Sequence, residues 1–155
     1  MQSILVGIDF HASSINAAHY AVNLAKLFNA KIILFHAYII PVSLSDFPVP
    51  LLEENDIEVE LTTRLKQLSD DLKRVNYYTG DIVSACRPGN VPETLDYLCR
   101  EYEVGLIVVG LKKKHNWLER IGGSTVYRIL DNIMVPVITV PEHQNFKFCQ
   151  KRNAV

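Results

Sequence analysis

A chain of 155 residues fits one domain, long enough to bury roughly two-thirds of the surface its unfolded form exposes. With 48% hydrophobic residues, 21% charged residues and a formal net charge of −1, it has a globular composition and no overall field that would draw it to nucleic acid or an anionic membrane. No apolar run reaches the ~18 residues of a membrane span and the start lacks a signal-peptide layout, so the cytoplasm is the expected compartment.

Ser3-Ile4-Leu5-Val6-Gly7-Ile8-Asp9 is a nearly continuous apolar run ending in a carboxylate, the pattern of a strand buried on both faces of a parallel sheet. Ser13 or Ser14 offers an N-cap to a helix on which Ala17, Ala18, Ala21, Ala25 and Phe28 recur, and Asn29-Ala30 ends it. Residues 31–37 form a second β-branched run, which completes a βαβ unit. Pro41, Pro48 and Pro50 argue for a long loop over residues 39–56. From Asp46 to Glu60 inclusive there are six acidic residues and no basic one, which reads as a solvated face. Leu61, Leu65, Leu68, Leu72 and Val75 then mark a long amphipathic helix, expected to pack on the domain's own sheet rather than in a coiled coil.

A third strand is expected over Thr79 to Arg87, broken by Pro88-Gly89-Asn90. Asn90 with Glu93 resembles a capping box, opening a helix that carries Val91, Leu95, Leu98 and Tyr102. Residues 105–110 are the clearest buried strand. A short helix over Ser124 to Asn132 and a last strand over Val135 to Val140 close the chain's regular structure. Five strands alternating with four helices predict a single open five-stranded parallel sheet with helices on both faces, a Rossmann-like α/β fold. Cys86, Cys99 and Cys149 form no CxxC pair and are expected to be reduced, mostly buried thiols. The five histidines show no metal-ligand spacing, so no site made of protein ligands alone is indicated.

In such a sheet, ligands bind beyond the carboxyl ends of the strands, where strand order reverses. That rule selects Asp9 after the first strand, His36 and Ala37 at the end of the second, and Gly110 after the fourth. His36 is expected to pack at its strand end rather than act as a base. The loop from Gly110 to Gly123 holds Lys112, Lys113, Lys114, His115 and Arg120 against the single acid Glu119. It runs into Gly122-Gly123-Ser124-Thr125 at a helix start, where close-approaching backbone, amide N–H groups and two hydroxyls suit an anion. The plainer alternatives are a tight turn at the glycines, a helix cap at Asp9 and a solvated lysine run.

Over nearly its whole length the chain resembles a universal stress protein domain. The resemblance rests on Ile4-Leu5-Val6-Gly7-Ile8-Asp9, Leu34-Phe35-His36-Ala37, Gly89, the block from Gly110 to Gly123-Ser124-Thr125-Val126, and Val135-Pro136-Val137. It implies strand order 3-2-1-4-5 and a domain over residues 1–142, with 143–155 a C-terminal extension or the start of a linker to a second tandem domain. It further implies ATP or AMP as ligand. Gly7, Ile8, Asp9 and Ala37 would line the adenine and ribose pocket, and Gly110, Lys113, Gly123, Ser124, Thr125 and Val126 the phosphate loop. Asp9 would hold a magnesium ion carried in by the nucleotide. The family also commonly forms a homodimer through the strand here at Val135 to Val140, an apolar edge that calls for a cover.

One position departs from the ATP-binding pattern, in which a glycine is followed after two residues by a second and after nine more by a third. Gly110 and Gly123 match, and Lys113 replaces the second glycine. If the backbone there needs a positive φ, lysine costs about 1–2 kcal/mol; if phosphate lies against the Cα, the side chain collides; swung outward, its ammonium pairs with phosphate. The two functions that remain are a nucleotide-binding regulatory domain in the stress response, signalling to a protein partner, and a dimeric scaffold that binds no nucleotide. An enzyme is not expected beyond slow ATP hydrolysis, since the chain has no SGGxDS, HxGH, GxxxxGK[ST] or GxSxG motif.

Overall fold

The structure, a computed structural model, describes residues 2–39, 54–111 and 133–143, apart from the side chains at 54, 55 and 92. In chain order these form β1 (Ser3–Gly7), α1 (Ala12–Phe28), β2 (Lys31–Tyr38), α2 (Glu54–Asn76), β3 (Ile82–Pro88), α3 (Val91–Glu101), β4 (Val104–Leu111) and β5 (Val137–Pro141). The expected helix over Ser124 to Asn132, Cys149 and the tail beyond His143 lie outside the described residues. All strand pairs are parallel, in the order β3-β2-β1-β4-β5. No helix among the described residues is long and apolar enough to cross a membrane.

Alternation along the strands divides the core into two layers. Ile4, Val6 and Ile8 face the side covered by Ala17, Ala18 and Ala21 of α1 and Leu65 and Leu72 of α2. Leu5, Ile33, Phe35 and Ile107 face Leu95 and Leu98 of α3. Small alanines on α1 let that helix lie close to the sheet, and the leucine stripe of α2 packs against β2 and β3, as the periodicity predicts. α1 ends at Asn29, left-handed at φ 49°, and α3 begins at Asn90, whose side chain accepts from the Glu93 N–H.

The larger differences from the sequence reading fall at the starts of α1, α2, β3 and β5. The N-cap of α1 is His11, and the expected caps Ser13 and Ser14 are buried within its first turn. α2 starts at Glu54, well before Leu61, so part of the acidic stretch is helical; Glu58 accepts a 3.5 Å bond from the Tyr38 hydroxyl instead of facing only water. Acidic residues suit a helix's amino-terminal turns because the dipole there is positive. Val75, at the other end of α2, leaves the apolar stripe and is exposed. β3 begins at Ile82 rather than Thr79, because the preceding turn is shaped around Tyr78, whose hydroxyl donates to the Ala30 carbonyl at 2.7 Å. β5 begins at Val137 rather than Val135; Pro136 still accepts from the Ile107 N–H, and Val135 packs against the α3-side core.

Candidate functional site

Strand order reverses between β1 and β4, and the crevice beyond their carboxyl ends is where the chain leaves β1 for α1. Gly7 ends β1 between Phe35 of β2 and Val109 of β4. The Ile8 N–H carries the ladder one step further, donating to the Phe35 carbonyl at 2.8 Å. Asp9 then emerges into solvent. Its Oδ1 accepts from the His11 N–H at 3.0 Å and its Oδ2 lies 3.3 Å from His11 Nδ1, while its own N–H donates to Ser14 Oγ at 3.2 Å. Ser14 Oγ in turn donates to the His11 carbonyl at 3.0 Å. The helix-cap role considered for Asp9 takes the form of a local turn ahead of the helix: its carboxylate accepts from the N–H of the N-cap residue His11, and no side chain caps α1 itself.

Phe10 makes the turn possible at φ 60°, a left-handed conformation that is rare for a bulky residue. Its ring lies against His36, with centroids 5.0 Å apart, and beneath the Arg64 guanidinium, 4.0 Å from the ring centre. His36 Nδ1 sits 2.7 Å from the Ile8 carbonyl oxygen; since that oxygen only accepts, Nδ1 holds the proton. His36 is thus a packed strand-end residue, as expected.

Gly110 closes the crevice from the β4 side. A Cβ at this position would meet Ser13 carbonyl carbon and oxygen at 2.4 Å and the Ser14 nitrogen at 2.6 Å. The glycine is required where the backbones of β4 and α1 touch, a packing duty that stands beside any contact with a ligand. Ala37, next to β1 on β2, pairs with Arg87 and points toward the α3 layer. Of the expected site residues, Gly7, Ile8, Asp9, Ala37 and Gly110 thus gather at one end of the sheet. Lys113, Gly123, Ser124, Thr125 and Val126 lie outside the described residues, as do the neighbouring basic side chains of that loop. His11, Ser14 and Phe10 join the site unannounced by any motif, and Arg64 reaches it from α2, far along the chain, with no local sequence signal.

Among the described residues no three histidine, cysteine or acidic side chains gather to hold a metal. Cys86 and Cys99 are buried, and burial chiefly pushes both thiols up to about 11, so they are neutral and unreactive near pH 7.

An open, all-parallel α/β sheet with its crevice at the β1/β4 reversal defines a Rossmann-like, doubly wound domain. The chain belongs to the universal stress protein family, whose model matches residues 1–141. Among solved structures it is similar to the universal stress protein UspA from Lactobacillus plantarum, at 20% identity and a TM-score of 0.66, over 90% of this chain and 97% of that one. It is similar as well to a universal stress protein in complex with cAMP, at 22% identity and a TM-score of 0.62, over 91% and 97% of the two chains. A universal stress protein from Archaeoglobus fulgidus in complex with dAMP matches at 15% identity and a TM-score of 0.65, over 90% and 98%. A search among curated protein sequences finds no match.

Proposed function

We propose that this chain is an adenine-nucleotide-binding regulatory domain of the stress response, which holds ATP or AMP in the β1/β4 crevice and signals through a protein partner. The observation that carries this reading is that Asp9, bonded to Ser14, and Gly110, packed on the Ser13–Ser14 backbone, both stand at the strand ends where strand order reverses. The cAMP and dAMP complexes of two structural relatives support it. Gly7, Ile8, Asp9 and Ala37 would receive the adenosine, and Gly110, Lys113, Gly123, Ser124, Thr125 and Val126 the phosphates. A hard cation takes oxygen ligands, and Asp9 offers one carboxylate, so magnesium would arrive with the nucleotide and share that oxygen. Turnover is at most slow hydrolysis, and the working place is the cytoplasm.

Thermal unfolding with and without millimolar Mg·ATP or AMP tests the reading. Ligand at a hundredfold excess over its dissociation constant adds about 2.7 kcal/mol, a rise of roughly 5–11 °C for a domain of this size. Asp9→Asn should shrink the shift. No shift with either nucleotide overturns the proposal. Lys113→Gly separates two roles of the lysine: tighter binding means obstruction, weaker binding means a grip on phosphate.

A second reading, the nucleotide-free dimeric scaffold, draws on β5. It forms one edge of the sheet, with Thr139 exposed and Val137 and Ile138 half-buried. A second copy pairing there would cover it. Light scattering that finds a monomer at micromolar concentration refutes the homodimer in either reading.

A further inference from the structure

The left-handed backbone at Phe10 stands between the donor and the acceptor of the Asp9–His11 turn. Relaxing φ at this residue to a negative value rotates the peptide planes on both sides, which parts the His11 N–H from Asp9 Oδ1. A phenylalanine does not hold φ 60° unaided; surrounding contacts must over-determine it. Those contacts come from two other elements. The Arg64 guanidinium lies over the ring, 4.0 Å from its centre, His36 packs against it with ring centroids 5.0 Å apart, and His36 is itself fixed by its 2.7 Å bond to the Ile8 carbonyl. Arg64 is exposed, but it follows α2 wherever that helix goes, and the next residue, Leu65, is fully buried in the α1–α2 layer.

We propose that the Arg64–Phe10–His36 cluster is the positioning device for the Asp9 carboxylate and couples the seating of α2 to the crevice. This rests on the reading of Asp9 as a ligand-facing residue. Because coupling between sites is reciprocal, a nucleotide that favours the present Asp9 geometry also favours the present seating of α2. Occupancy of the crevice is thereby expressed on the outer surface of a long helix, where a partner can sense it.

Amide hydrogen exchange on the ligand-free protein tests the device apart from any nucleotide. In Arg64→Met the His11 and Asp9 amides should exchange about two- to fivefold faster, the factor an exposed cation–π contact is worth, while amides of β1 and β4 are unchanged. Arg64→Lys, which keeps the cation, should restore most of the protection. Mg·ATP affinity should fall in Arg64→Met by a similar factor and recover in Arg64→Lys. Unchanged exchange at His11 in Arg64→Met overturns the proposal, as does equal acceleration in Arg64→Lys. Faster exchange with undiminished nucleotide affinity overturns the positioning of Asp9 for a ligand. A parent protein that binds no nucleotide sinks the proposed function alone, since the exchange measurement still decides whether the cluster holds the turn.

Discussion

Replacing Gly110 by alanine puts one methyl group where the structure has none to spare. The added carbon would lie 2.4 Å from Ser13 carbonyl carbon and oxygen and 2.6 Å from the Ser14 nitrogen, against an ordinary contact of at least 3.4 Å. These are backbone atoms, so no side-chain rotation relieves the overlap, and α1 must withdraw from β4 by about 1 Å. That movement loosens the Ala17 and Ala21 packing and pulls on the Asp9–Ser14 bond. Overpacking of this kind costs about 1–3 kcal/mol, and a backbone obstacle places Gly110→Ala near the top of that range. Urea unfolding followed by circular dichroism should register the loss, and the melting temperature should fall by roughly 5–10 °C. Gly7→Ala is the matched control: its Cβ would meet only Val109 Cγ1, at 3.5 Å, so its stability should change by less than about 1 kcal/mol. A Gly110→Ala variant as stable as its parent, or a Gly7→Ala variant equally damaged, would refute the reasoning.

Asn90→Ala removes the side chain that caps α3 and should cost about 1 kcal/mol in urea unfolding, most of it recovered by Asn90→Asp. Gly89 has φ 118°, which L side chains rarely adopt, so Gly89→Ala should lose about 1–3 kcal/mol although a Cβ has room there. Tyr78→Phe leaves the buried Ala30 carbonyl without its 2.7 Å donor and should destabilise by about 1–3 kcal/mol; a midpoint equal to the parent's would show the bond to be dispensable. Cys86 and Cys99 keep their protons to about pH 11, against an ordinary value of 9.0, so the folded state binds protons more tightly between those limits. Stability from these thiols is complete below pH 9 and declines as pH rises toward 11, by up to about 1.4 kcal/mol per unit for each. Urea midpoints at pH 8 and 10.5 should show a shallower decline in a Cys86→Ala, Cys99→Ala double variant, the remainder including Tyr78, whose hydroxyl burial also pushes up.

Strands whose two faces are both buried announce themselves locally, which is why β1, β2 and β4 could be read from runs such as Ile4-Leu5-Val6 and Ile107-Val108-Val109. Helix starts were harder. Ser13 and Ser14 have the chemistry of caps, yet the close approach of Gly110 draws them under β4, where Ser14 bonds back to the turn. Acidic residues before Leu61 read as solvated chain because their helical role depends on a dipole and on Tyr38. The site divides in the same way. Asp9 and Gly110 follow from the rule about strand ends, whereas Phe10 and Arg64 enter through a backbone angle and a contact between elements far apart in sequence. Neither leaves a pattern that periodicity can register.

Of the five described strands, the one earliest in chain order occupies the centre of the sheet, and this bears on how the sheet is assembled. Leu5 pairs with Ile33 of the next strand in chain order, but its other partner, Ile107, follows only after β2, β3 and three described helices. Until then, one whole side of β1 offers unpaired amides and carbonyls framed by Ile4 and Val6, a template on which a neighbouring nascent chain can add itself. Arrival of β4 seals that flank. The same step that brings Gly110 to the crevice thus also removes that template.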